Sequence, residues 1–218
     1  MRVRSKFVLA SACAAAIVAV VVPTASAGAK TECKSTYSNT KLNGGVVVNQ
    51  GDVCILNNVT VNGGLTVNGG ALAFLAVDNS TIHGGWSMTG TVIPINIFAG
   101  SPSDGYFCAN NVDGGLNVSG VETFGNPLSF GEANAGCAGG TINGGASFTN
   151  NDSGGVEVDA YTVNGGLTFA NDTGFNELEK TTVNGSASCD VASDVQNDQS
   201  GPGSNANSYT GQNNGCPA

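Results

Sequence analysis

Val61-Asn62-Gly63-Gly64-Leu65-Thr66-Val67 returns as Val163-Asn164-Gly165-Gly166-Leu167-Thr168-Phe169, with looser copies on both sides of it. The first glycine of the phrase falls at Gly44, Gly63, Gly84, Gly114, Gly144, Gly165 and Gly185, at spacings of 19, 21, 30, 30, 21 and 20 residues. Aligned on that glycine, the chain falls into columns. Two residues before it stand Leu42, Val61, Ile82, Val112, Ile142, Val163 and Val183; two after it stand Val46, Leu65, Trp86, Leu116, Ala146, Leu167 and Ala187. Four after it stand Val48, Val67, Met88, Val118, Phe148, Phe169 and Cys189, and seven before it Tyr37, Leu56, Val77, Phe107, Cys137, Val158 and Leu178. Every one of these positions is apolar in a chain that is 40% hydrophobic overall.

The columns between them are polar. Asn43, Asn62, His83, Asp113, Asn143, Asn164 and Asn184 directly precede the glycine, and a column rich in threonine (Thr60, Thr81, Thr141, Thr162, Thr182) lies two residues earlier. In-out alternation of period two means β-strand. A unit near 20 residues is too short for a propeller blade and lacks the leucine-rich-repeat signature, but it suffices for one coil of a parallel β-helix. The reading is therefore an all-β parallel β-helix, a solenoid of about seven coils stacked at ~4.8 Å into a rod of roughly 30 Å. Stacked Asn side chains can bond up and down such a ladder. Thirteen of the fourteen paired-glycine positions are Gly, with Ser186 the exception. The alternation keeps its phase across the pair, so the columns leave open whether the strand bends there or runs straight.

Composition narrows the function. Glycine is 33 of 218 residues and charged residues are 11%, against roughly 25% in an ordinary soluble domain. Seven basic against sixteen acidic residues give −9, which excludes a nucleic-acid binder for want of a basic face. Residues 1–27 read as a signal peptide: Arg2, Arg4 and Lys6 precede an apolar run from Phe7 to Val22, and Ala25-Ser26-Ala27 offers a small-residue cleavage site. Beyond residue 27 the chain keeps Lys30, Lys34, Lys41 and Lys180 against all sixteen acids, a net −12, and has no later stretch long enough to span a membrane. The expected location is secreted, at or near the cell surface. Residues 28–190 hold the repeats, and the Asn/Ser/Gly-rich residues 191–218 read as a C-terminal cap.

Six cysteines remain after the signal: Cys33, Cys54, Cys108, Cys137, Cys189 and Cys216. An even number in an exported chain reads as three disulfides, and no Cys-x-x-Cys pair or Cys/His cluster suggests a metal. Coil spacing favours Cys33 with Cys54, Cys108 with Cys137 and Cys189 with Cys216, among the 15 pairings that six cysteines allow.

Residues 41–70, with Gly51-Asp52-Val53-Cys54-Ile55-Leu56 before Val59-Thr60-Val61-Asn62-Gly63-Gly64-Leu65, resemble uncharacterised secreted proteins of actinobacteria. So does the ending, from Val183-Asn184-Gly185 and Cys189 to Asn207-Ser208-Tyr209-Thr210-Gly211 and Gly215-Cys216. The resemblance implies a β-solenoid and no activity. The repeats are also loosely similar to bactofilins, polymer-forming cytoskeletal β-helices. Those lack export signals and paired cysteines, so polymerisation is not implied for this chain.

A polysaccharide lyase needs a basic proton acceptor and carboxylates that hold calcium, yet no arginine follows residue 27 and Lys180 is the one lysine beyond the first coil. A hydrolase needs two carboxylates flanking a bond. Asp78, Asp159 and Glu179 share one outward column and read as a solvated acidic edge, and His83 reads as a structural substitute for Asn in its ladder. The expectation is a structural or adhesive, binding protein without catalytic residues, metal or cofactor, whose partner is a cell-wall or extracellular glycan or protein; the alternative is a polysaccharide-acting lyase or hydrolase. The two 30-residue spacings place extra stretches at 89–104 and 119–134, both expected at one position on the coil. Ile93, Ile95, Ile97, Phe98, Phe124, Leu128 and Phe130 are the candidate binding surface there, protruding together. Trp86 reads as core.

Overall fold

A computed structural model describes residues 28–72, 74–93, 106–123, 127–131, 136–197 and 206–218. The chain winds as a parallel β-helix, and the strand pairings among the described residues are parallel. Sheet I stacks Thr31–Glu32, Val46–Val48, Leu65–Val67, Trp86–Thr89, Leu116–Ser119, Ala146–Thr149, Leu167–Ala170, Ala187–Cys189 and Asn213–Asn214. Sheet II stacks Thr36–Leu42, Val53–Val61, Thr81–Ile82, Asn111–Val112, Thr141–Ile142, Thr162–Val163, Thr182–Val183 and Ser208–Tyr209, with Phe74–Asp78 paired to the first half of Val53–Val61. Two four-stranded sheets complete the coil. Sheet III holds Gly70–Ala71, Thr91–Ile93, Glu122–Thr123 and Asp152–Ser153; sheet IV holds Tyr106–Phe107, Leu128–Phe130, Val156–Asp159 and Glu177–Glu179.

The glycine-aligned columns are the pairing register. Val46, Leu65, Trp86, Leu116, Ala146, Leu167 and Ala187 are successive partners across sheet I. Alternation buries these residues while Thr66, Ser87, Asn117, Ser147 and Thr168 between them face outward. The glycine pair is a corner: sheet II ends before it and sheet I begins after it. Two physical demands select glycine. A Cβ on Gly114 would lie 2.5 Å from the Gly85 nitrogen of the coil below, and Gly115 sits at φ +87°. A second corner, five residues before the glycine, takes left-handed φ at Asn39, Asn58, Asn79, Ala109, Ala160 and Lys180, a conformation that Asn tolerates best among residues with a side chain.

The core is continuous from Cys33 to Cys216. In its middle Trp86 packs edge-on against Phe107 and Phe130, at centroid distances of 4.9 and 5.6 Å, and Phe148 stacks on Phe169 at 4.8 Å. Such contacts contribute about 0.5–1.5 kcal/mol each beyond burial. The three disulfides join Cys33 to Cys54, Cys108 to Cys137 and Cys189 to Cys216, the pairings that coil spacing favours.

Three expectations need correction. The two extra stretches do not enter the coil at one place. The first falls between Ile93 and Tyr106, ahead of sheet IV, and residues 94–105 lie outside the described residues. In the next coil Leu128–Phe130 is itself a strand of sheet IV, and most of the added length follows it, between Phe130 and Thr141. Phe130, not Cys137, therefore takes the rung between Phe107 and Val158. Second, residues 208–214 add rungs to sheets I and II rather than only covering the last one. Third, Ile93, Leu128 and Phe130 do not protrude; they are buried core residues, because each sits at an inward position of a strand. Ile95, Ile97, Phe98 and Phe124 lie outside the described residues.

Candidate functional site

The outward faces of the glycine corner carry the regular chemistry. Along the column that precedes the glycines, side chains bond from coil to coil: Asn62 Nδ2 donates to Asn43 Oδ1 at 2.8 Å, Asn143 to Asp113 Oδ1 at 2.9 Å, Asn164 to Asn143 at 2.7 Å and Asn184 to Asn164 at 2.8 Å. Each of these amides donates to the preceding coil, and Asn143 and Asn164 also accept from the following one, as the Asn column implied. His83 joins the ladder through Nδ1, 2.5 Å from Asp113 Oδ2, with both side chains substantially exposed. The Asn143 amide and the His83 ring hold the Asp113 carboxyl below its ordinary value. His83 thus occupies a ladder position.

Beside this ladder a groove of about 570 Å³ runs across successive coils. Its floor is glycine backbone, including Gly64, Gly85, Gly115 and Gly145, and its wall is Thr66, Ser87, Asn117, Ser147 and Thr168. The floor exists because stacked corners leave no room for side chains; the wall follows from strand alternation two residues later. The lining is neutral, so what it offers a ligand is a row of hydroxyl and amide groups repeated once per rung. Sequence reasoning missed this groove although it held both columns, since a depression is a property of the stacked coils together and not of any one column.

The acids stand elsewhere. Glu157 pairs in register with Glu177, and Asp159 with Glu179, on sheet IV. All four are buried, with Asp159 at 0% exposure, and Ser129 Oγ donates to Glu157 Oε2 at 2.7 Å. The solvated edge expected of Asp78, Asp159 and Glu179 is corrected accordingly: this side of sheet IV is covered, and Asp78 is half-buried, with its carboxyl raised by burial against a bond from Cys108 N. A second set of polar groups, buried Asn110, Asn151, Asn176 and Asn207, bonds to backbone of neighbouring coils: Asn110 accepts from Ser80 N, Asn151 from Val121 N, Asn176 from Val156 N and Asn207 from Thr181 N. These amides satisfy main-chain donors where the coil turns and no ladder partner is available. They share no single column, so no periodic signal marks them in the sequence.

Among the described residues no group of three or more His, Cys, Asp or Glu side chains is placed to hold a metal ion, and no helix is long and apolar enough to cross a membrane. Compared with protein-family models, with curated proteins and with solved structures, the chain matches none of them.

Proposed function

We propose that the chain beyond its signal peptide is a secreted, non-catalytic rod of the cell surface or extracellular matrix, acting as a structural or adhesive module. The observation that carries this reading is the groove at the glycine corner, flanked by the Asn ladder. The groove presents neutral hydroxyl and amide groups on successive coils, about 4.8 Å apart, and the ladder beside it repeats amides at all but the His83 and Asp113 rungs. A repeating surface suits a repeating partner, an extended glycan of the wall or matrix, laid along the rod axis. Its neutrality favours uncharged sugars over polyanions, which the net negative charge of the chain would repel.

The test is a glycan and cell-wall binding array on the protein lacking residues 1–27, with parallel assays for reducing ends and unsaturated sugars. Retention on wall or matrix polysaccharides without product release is the expected result. Placing tryptophan at Ser87 and Ser147 fills the groove and should abolish that retention. Clear turnover would overturn the reading in favour of a polysaccharide-acting enzyme.

A further inference from the structure

The ladder beside the groove changes character at one place. Asn43, Asn62, Asn143, Asn164 and Asn184 carry amides along it, whereas His83 and Asp113 stand on two successive coils between them. Each directly precedes a glycine of the groove floor, Gly84 and Gly114, so the pair flanks the groove within its length and not at an end. Across that floor the same two coils present Ser87 and Asn117, which are register partners on sheet I.

The amide rungs keep a donor for a ligand. Asn143 and Asn164 each spend one Nδ2 hydrogen on the preceding coil and accept from the following one, so a second N–H remains. His83 and Asp113 keep acceptors instead. A carboxylate has no proton to give, so Asp113 Oδ2, at 2.5 Å, makes Nδ1 the protonated nitrogen of His83. The neutral ring then carries its lone pair on Nε2, which bonds to no described residue. The two Asp113 oxygens accept from Asn143 and His83, and each retains a further lone pair. Those same bonds hold the Asp113 carboxyl below its ordinary value, which keeps it an acceptor. With side-chain exposures of 45% and 40%, both residues are within reach of a ligand.

We infer that His83 and Asp113 are the specificity-determining rungs of the groove, two acceptors one coil apart that take adjacent hydroxyls of an uncharged sugar. The assignment rests on the groove being a glycan site. One hydroxyl donates to His83 Nε2 and its neighbour to an Asp113 oxygen, the second bond strengthened by the carboxylate charge. Neighbouring rungs lie about 4.8 Å apart, close enough for adjacent hydroxyls of one sugar to be held together. A sugar in which an acetamido group replaces one of those hydroxyls fits less well: it brings bulk, and a carbonyl that meets acceptors with no proton to offer. Amide rungs do not discriminate in this way, because Asn both donates and accepts.

The experiment measures, by calorimetry in mildly alkaline buffer, binding of cellohexaose and N-acetylated chitohexaose to the protein lacking residues 1–27. The two sugars share linkage and length and differ in the hydroxyl that the acetamido group replaces. The parent should bind cellohexaose about tenfold more tightly. His83→Asn combined with Asp113→Asn makes these rungs like the rest of the ladder and should bring the ratio to about one, with the melting temperature reporting that the variant is folded. Should the double variant not fold, Asp113→Asn alone removes the charged acceptor and should lower the ratio to about threefold. Equal binding of the two sugars by the parent, preference for chitohexaose, or an unchanged ratio in a folded variant overturns the assignment while leaving the groove a glycan site. Binding of neither sugar also overturns it, and the wall and matrix array then decides the glycan reading by itself.

Discussion

The two ends of the rod solve the same problem differently. At the N-terminal end, among the described residues, Thr31–Glu32 pairs with one neighbour, Val46–Val48, and Thr36–Leu42 with one, Val53–Val61, which leaves an open edge on each. Lys30, Lys34 and Lys41, three of the four lysines beyond residue 27, are exposed on this coil, with Lys34 Nζ 3.0 Å from Glu32. At the C-terminal end the chain covers itself. Tyr209 OH and Asn207 Nδ2 donate to Pro217 O, Asn213 exchanges bonds with Cys216, and Asn197 Nδ2 donates to Ala218 O. One end is guarded by charge and the other by a folded tail. Charge serves where the sheet edge is left open, because lysine discourages a further strand from pairing there. A tail serves where the last rung of sheet I is polar and exposed, as at Asn213 and Asn214.

The largest effect that would sharpen this contrast comes from the terminal disulfides. Replacing Cys189 and Cys216 by alanine, or Cys33 and Cys54, should each cost about 3 kcal/mol in denaturant unfolding, since the closed loops are of similar length. The location of the damage should differ. Loss of Cys189–Cys216 frees residues 206–218 to proteolysis, whereas loss of Cys33–Cys54 leaves the long pairing of Thr36–Leu42 with Val53–Val61 protected. Equal fraying at both ends would break the comparison.

A smaller effect isolates the tail. Tyr209→Phe removes the hydroxyl bond to Pro217 O and should cost about 1 kcal/mol, with faster exchange confined to 206–218. Burial pushes the Tyr209 phenol up to about 12, so it contributes stability below its ordinary value of 10 that is lost as pH rises through the raised one. Alkaline melts should show this loss in the parent and less of it in the variant; identical alkaline profiles would remove Tyr209 from the account.

The smallest change in stability belongs to the lysines. Threonine at positions 30, 34 and 41 together should leave the melting temperature near that of the parent, because these side chains are exposed. Light scattering should nonetheless report more self-association than in the parent, and Lys180→Thr should not reproduce it. A triple variant no more associated than the parent would show that charge does not guard this end.

Much of this architecture was legible before any coordinate. The columns around Gly84 and Gly114 predicted which residues stack, the Asn43-to-Asn184 column predicted its ladder, and cysteine spacing favoured the three bridges that form. A residue on a solenoid meets the same position of the next coil, so periodicity in sequence becomes contact in space. That logic fails where the period changes. In the coil before Gly144 the added residues could have entered on either side of sheet IV, and aligning by count put Cys137 where Phe130 stacks. The pattern of inward and outward residues cannot by itself say which apolar residues of a long stretch reach the core.

What the sequence by itself determined is the parallel stack, its register through the regular coils and the amide ladder, with six cysteines beyond residue 27 available for three bridges. All of these follow from like residues recurring at one coil length. What only the tertiary structure decided is where that regularity breaks: the groove over the glycine corner, and the burial of Glu157, Asp159, Glu177 and Glu179. Each depends on groups distant in sequence converging on one point, and exposure, unlike register, is a property of what lies above a residue as well as of its own position in the strand.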